Sequence, residues 1–291
     1  MISTRAGAGR GNRDENPLRP KDRLYDRLVE DVAAAGLRSG HPEGVVTDAD
    51  LAGLPDAVQR YMRFMGVVGR PRDWSFRARF VGRFRMRPDA GWATAEAWQY
   101  NSAVEIARVF VLRIRLAHLV PVVGRDTYVQ GRGRMLVKLM NLVPVADGKG
   151  EEFDHSELIT YLDDAVLLAP SMLLGPAASW AAVDDRAFDD RAFDDRAFDV
   201  TLTDAARSVT ARVFLDERGA PVDFHADRYA TLPSGLTLAR WRTPVTTWDT
   251  ALPQRPLPGP AKAVYDLPDG PFPYIEGRFV PGTVAYNVAP G

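Results

Sequence analysis

Five polar residues crowd one short stretch of the chain, GRDTYVQGRGRM: Arg125, Asp126, Tyr128, Arg132 and Arg134. On an extended strand, residues two apart share a face. Arg132 and Arg134 therefore fall together, and Tyr128 has the same parity. Guanidiniums on one face can grip the acidic head of a ligand through charge-assisted hydrogen bonds, while aromatic side chains hold an apolar tail. Trp98, Phe272 and Tyr274 are the aromatics expected around such a tail, with core packing as their plainer role. For the polar group the plainer role is cross-strand salt bridging, and that structural reading is favoured.

The rest of the sequence offers little reactive chemistry. The four histidines, His41, His118, His155 and His225, show no metal-ligand spacing. The absence of cysteine removes thiolates, disulfides and sulfur-ligated zinc. No metal and no cofactor are expected. His155 lies among Glu151, Glu152, Asp154 and Glu157, which suggests either a carboxylate–histidine site or a solvated helix start. The second is favoured, because acids suit the positive end of a helix. Asp163 and Asp164 are adjacent, and neighbours on a helix point about 100° apart, so joint acid–base work is not expected. There is no nucleophile elbow, phosphate loop or dinucleotide fingerprint. GRGR at 131–134 reads as a strand interruption rather than a phosphate nest.

Periodicity shows which elements must carry these residues. Residues 21–36 read as a helix with Leu24, Leu28 and Val32 on one stripe and Gly36 as a stop. A second helix should begin at Leu54-Pro55, with Val58, Tyr61, Met62 and Met65 apolar. The period then changes to two. In WSFRARFVGRFRMRP, Trp74, Phe76, Ala78, Phe80, Phe84 and Met86 face one way, and Arg77, Arg79, Arg83, Arg85 and Arg87 the other. A solvated outer face is favoured for that arginine row over one that docks to lipid phosphates or RNA. Gly82 suggests a bend or bulge. Further strands are expected at 93–101, 104–116, 125–139, 197–203, 208–215, 221–230, 236–248, 260–267 and 273–287, with a hairpin loop at 216–219. One helix interrupts them over 154–169, with Asp154 as N-cap and Glu157 completing a capping box.

The pentapeptide DDRAF occurs three times from Asp184 to Phe198. A period of five fits neither a helix nor a strand. A single copy already completes a strand–turn–strand, so the repeat reads as a short tandem duplication tolerated at a hairpin tip. A calcium site built from its aspartates lacks the glycine turn and the spaced glutamate that such loops use.

Composition closes off several classes. Lys and Arg number 37 against 38 Asp and Glu, for a net charge of −1, so no bulk electrostatic case for nucleic acid exists. The most apolar stretch, residues 109–123, is broken by Arg113, Arg115 and Pro121, and nothing reaches the roughly 20 apolar residues of a membrane helix. The first residues lack an apolar signal core and read as a disordered arm. A cytoplasmic location is expected, with peripheral membrane contact left open.

From about Leu51 to Asn287 the chain resembles an uncharacterised bacterial domain-of-unknown-function family common in actinobacteria. The stretches that carry the resemblance are LPDAVQRYMRFMGVVGRP (54–71), GRFRMRPD (82–89), GRDTYVQGRGRMLVKLMNLVPVAD (124–147), a strand–turn–strand around Trp180 ending in TLTD (201–204), and LPDGPFPYIEGRF (267–279). The chain departs from the family pattern at the repeat and at the polar-poor VEIARVFVLRIR after the second strand. The resemblance implies no activity. The architecture it implies looks like the half-barrel of lipoprotein carriers.

The expectation is therefore an α+β protein with N-terminal helices and a large curved antiparallel β-sheet of eight to eleven strands, a half-barrel cupping a helix. Residues 1–20 would form the arm, 21–50 a helix and linker, and 51–288 the sheet domain. The expected role is non-enzymatic binding of a lipid or other apolar small molecule. The alternatives are an enzyme using the 125–134 polar cluster, supported if perturbed carboxylates converge in a pocket, and a module docking to a protein or membrane surface.

Overall fold

The computed structural model describes residues 22–41, 44–116, 120–140, 143–183, 196–232, 235–251 and 255–290. The expected arm at 1–20, His118 and most of the DDRAF repeat lie outside the described residues. The α-helices are α1 (Arg23–Ala34), α2 (Asp48–Leu51), α3 (Asp56–Phe64) and α4 (Glu151–Leu168). Before α4 come β1 (Ser75–Phe84), β2 (Ala93–Ser102), β3 (Ala107–Leu116), β4 (Val120–Val129), β5 (Arg132–Leu139) and β6 (Val143–Lys149). After it come β7 (Ala178–Ala182), β8 (Ala197–Asp204), β9 (Arg207–Leu215), β10 (Pro221–Leu232) and β11 (Gly235–Arg242). The short pair β12 (Trp248–Asp249) and β13 (Leu257–Pro258) precedes β14 (Ala261–Leu267), β15 (Gly270–Phe279) and β16 (Ala285–Tyr286).

One antiparallel sheet runs β6-β5-β4-β3-β2-β1-β15-β14-β11-β10-β9-β8-β7, with β16 paired to β1 off that path. β15 returns from late in the chain to lie beside β1, which joins the two halves. α4 touches β4 and β5 on one side and β9 and β10 on the other. A helix can meet both ends of one sheet only if the sheet curves around it. The fold is α+β: a curved antiparallel half-barrel with α4 in its hollow, α2 and α3 packed into the same core, and α1 on the outer face.

Side-chain alternation explains the layers. On β1, Phe76 and Ala78 are fully buried on the inner face, against the core that surrounds α4. The arginines of β1 face outward, where Arg79 pairs with Glu96 at 3.2 Å; past the end of the strand Arg87 pairs with Asp89 at 3.3 Å, while Arg85 donates to the Pro273 carbonyl at 2.9 Å and lies over the Phe272 ring at the hollow. Leu24, Leu28 and Val32 of α1 cover the outer face of β2 and β3 at Trp98, Tyr100, Val109 and Val111. Burial of each such aliphatic side chain contributes roughly 1.5–3 kcal/mol.

Several expectations differ from the structure: the main sheet holds 14 strands among the described residues rather than eight to eleven, and the strands expected at 236–248 and 273–287 end at Arg242 and Phe279. The 125–139 segment is a hairpin, not one strand. Gln130 and Gly131 turn the chain with φ of 53° and 74°, the two positive values that a two-residue hairpin turn of type I′ requires. α4 begins three residues earlier than expected, capped by Gly150, so Asp154 and Glu157 are not a capping box but lie inside the helix. Gly82 marks no bulge, since register runs unbroken through it on both sides. It faces Gly277 across β1 and β15, and a Cβ there would lie 2.0 Å from the Glu276 carbonyl oxygen, so its role is close backbone approach. β6, VPVADGK, was not expected; it lies at the sheet edge, the position in a sheet that tolerates a proline.

β7 and β8 pair antiparallel up to Ala182 and Phe198, at either end of the repeat. Deleting residues 184–193 leaves one DDRAF copy between them. Each doubling of loop length costs only about 0.6 kcal/mol, so the deletion should shift unfolding free energy by about 1 kcal/mol at most, on the stabilising side. Urea denaturation checks this; a loss of several kcal/mol would assign the repeat a structural role.

Candidate functional site

Between α4 and the inner face of the sheet lies a cavity of about 420 Å³, within the range of small-molecule pockets. Its walls come from alternate positions on neighbouring strands. Leu112 and Ile114 of β3, Val122 and Gly124 of β4, and Met135 and Val137 of β5 all line it. Phe272 and Tyr274 of β15 close the opposite side.

The floor is polar, and α4 supplies its centre. Glu157 is 1% exposed and accepts from two guanidiniums. Arg108 of β3 donates to Oε2 at 3.1 Å, and Arg228 of β10 to Oε1 at 3.2 Å. Arg108 also donates to Asp164 at 2.7 Å. Arg228 donates to Thr160 Oγ1 at 3.1 Å and to the Tyr265 hydroxyl, which in turn donates to the Tyr229 carbonyl at 3.0 Å. Trp241 donates to the Tyr274 hydroxyl at 3.1 Å.

Asp126 completes the floor and differs from its neighbours. Its half-buried carboxyl lines the cavity, and among the described residues no donor lies within hydrogen-bonding distance of it. Burial pushes its pKa up, against the pull of Arg108 and Arg228. Burial also raises Glu157, to about 7, helped by the charge of Asp126 and opposed by Arg228 and Arg108. Desolvation outweighs two neighbouring cations at Glu157 because that carboxyl is held away from water, while the half-buried Asp126 opens onto the hollow. Asp163, one residue from Asp164, is likewise raised by burial and bonds Thr243 at 2.6 Å.

The residues singled out in the sequence divide between the two faces of the sheet. Asp126, Phe272 and Tyr274 line the cavity. Tyr128 points inward but not into the cavity; it is fully buried and donates to Asp204 at 2.8 Å. Arg125 faces outward and pairs with Asp31 of α1. Arg132 and Arg134 do not share a face with Tyr128. The two-residue turn pairs Val129 with Arg132 and Tyr128 with Gly133, and paired residues share a face, so both arginines fall outside. Arg134 forms a two-bond ion pair with Asp147 at 2.7 and 2.9 Å, and Arg132 reaches Asp154 at 3.4 Å with its side chain 81% exposed. Trp98 packs under α1 on the outer face, its indole donating to Asp22 at 2.9 Å. His155 Nε2 lies 2.9 Å from the Asp227 carbonyl oxygen, and no metal-holding cluster occurs among the described residues.

Arg108, Arg228 and Tyr265 were not foreseen as site residues, and Glu157 was weighed only with His155, in a site set aside for a solvated helix start. Arg108 stands in the inward row Arg108-Phe110-Leu112-Ile114, and Arg228 in the row Phe224-Ala226-Arg228-Ala230. A charge interrupting an apolar row was the available signal.

Residues 44–277 match the model of a family described as a family of unknown function (DUF6544). No curated protein matches the chain. Among solved structures, it is similar to a crystal structure described as that of an outer membrane lipoprotein-sorting protein domain from Vibrio parahaemolyticus. Identity is 11%, the match covers 81% of this chain and 93% of that one, and the TM-score is 0.43. No helix among the described residues is long and apolar enough to cross a membrane.

Proposed function

The chain belongs to the DUF6544 family, whose function is unknown, and on that premise we propose that it binds an apolar small molecule in the hollow between α4 and the sheet. The single observation that carries this is the cavity itself. A curved sheet closing on a helix would bury most surface by filling the hollow with side chains, yet about 420 Å³ stays open behind walls of Leu112, Ile114, Val122 and Val137. Close packing is the rule in protein interiors, so an apolar void this large supports a ligand-binding role.

Diphenylhexatriene, a neutral hydrocarbon that fluoresces in apolar surroundings, tests the reading. Saturable enhancement at one molecule per chain is expected. Linear, non-saturating enhancement would overturn it.

A second reading is favoured by one observation: two carboxyls with raised pKa values, Asp126 and Glu157, meet at the cavity floor. Such groups suit general acid–base catalysis on the bound molecule. Both oxygens of Glu157 are already held by guanidiniums, which leaves Asp126 as the group able to reach a substrate. Recovery of the bound molecule chemically unchanged after prolonged incubation supports binding alone; a changed molecule supports catalysis.

A further inference from the structure

The cavity floor carries the carboxyls of Asp126 and Glu157, backed by Asp164, against the guanidiniums of Arg228 and Arg108, while Glu152 and Arg85, one charge of each sign, also line the cavity. Glu157 and Asp164 are satisfied by direct ion pairs. Asp126 is the one left without a protein donor, and it faces the open space. A half-buried carboxylate that faces an apolar hollow is stabilised when a cation or donor completes it, or when it takes a proton. We infer that the ligand of this pocket is an amphiphile with a cationic, hydrogen-bond-donating head, of the primary-amine class, held by Asp126 while its tail lies along β3, β4 and β5. The inference rests on the apolar-ligand reading above.

The groups around Asp126 agree on the sign. Arg108 comes from β3, Glu157 and Asp164 from α4, Arg228 from β10, Tyr265 from β14 and Tyr274 from β15. The two guanidiniums already make bonds within the floor, to Asp164, Glu157, Thr160 and Tyr265. An anionic head would add a fourth negative charge where three already outnumber two. An ammonium balances the floor and takes the place of the proton that Asp126 and Glu157 otherwise hold between them. In balance, the alkylammonium enters, one proton leaves the carboxyl pair for solvent, and the N–H donates to Asp126. A ligand amine keeps its charge well above neutral pH. Its affinity should therefore rise with pH as the carboxyl pair, which burial raises, gives up that proton.

The test is displacement of diphenylhexatriene by dodecylamine, dodecanol and dodecanoic acid, each below its micelle concentration. Dodecylamine is expected to displace the probe at about one-tenth the concentration of dodecanol, equivalent to about 1.4 kcal/mol, with dodecanoic acid weakest. Asp126→Asn keeps the shape and removes the charge. It should abolish the preference for the amine and its pH dependence. Equal displacement by all three compounds, or an amine preference that survives in Asp126→Asn, overturns the head-group assignment while the pocket stands. Failure of diphenylhexatriene itself to bind overturns the pocket reading and this inference with it.

Discussion

Replacing Arg108 with methionine will cost the fold about 3–5 kcal/mol at pH 8, the penalty for leaving buried carboxylates without their cation. Arg108 is 4% exposed and holds both Glu157 and Asp164. Methionine fills comparable space along the stem, so the loss reports charge rather than a cavity. The loss must also depend on pH. Glu157 stands at about 7 in the fold against an ordinary value of 4.5, so protonation favours the folded state. That contribution is fully present below about 4.5 and is lost as pH rises through about 7. Without Arg108 the folded-state value climbs further, and the window extends upward. Urea denaturation of Arg108→Met at pH 5.5 should show a clearly smaller deficit than at pH 8. A deficit below about 1 kcal/mol, or one that ignores pH, would show that Arg108 does not compensate the floor.

Gly124→Leu should empty the pocket of ligand and leave the fold intact. Gly124 lines the cavity from the middle of β4. A Cβ built there meets only Leu112, at 3.7 and 3.9 Å, which is ordinary contact. The remaining leucine atoms must extend into the hollow. Diphenylhexatriene affinity should fall by tenfold or more, a loss of about 1.4 kcal/mol. Stability should hold or rise, because replacing glycine at a compatible backbone position lowers the entropy of the unfolded chain by about 0.4–1 kcal/mol equivalent. A variant that unfolds, or that binds the probe as before, would contradict the placement of the pocket.

Much of the architecture was legible because alternation in long strands is a strong signal. The inward Phe76 and Ala78 and the outward arginines of β1 follow directly from a period of two. The site was harder to see. Parity alone joined Tyr128 to Arg132 and Arg134, and one unrecognised turn at Gln130-Gly131 reversed the relation. The acidic-head clamp, the less favoured reading of that cluster, was built on that parity; Arg134 and Arg125 stand on the outer face in ion pairs with Asp147 and Asp31, as the favoured salt-bridge reading had it. Asp126 belonged to the same cluster and reaches the cavity, yet its neighbours Arg108, Glu157 and Arg228 stand 18 to 102 residues away in sequence order, which no local period connects. Glu157 was hidden further by its resemblance to a capping residue. The same parity test that placed the β1 arginines outside would have marked Arg108 and Arg228 as charges standing in apolar rows.

Native mass spectrometry of freshly purified protein, with solvent extraction of the bound material, tests the central claim most directly. Wild-type protein and Gly124→Leu would be prepared side by side. The wild type is expected to carry a discrete added mass, recovered on extraction as one apolar compound class, and the variant to lack it. A wild type that carries no added mass and takes up none when incubated with dodecylamine or dodecanol would contradict the claim that this half-barrel holds an apolar ligand.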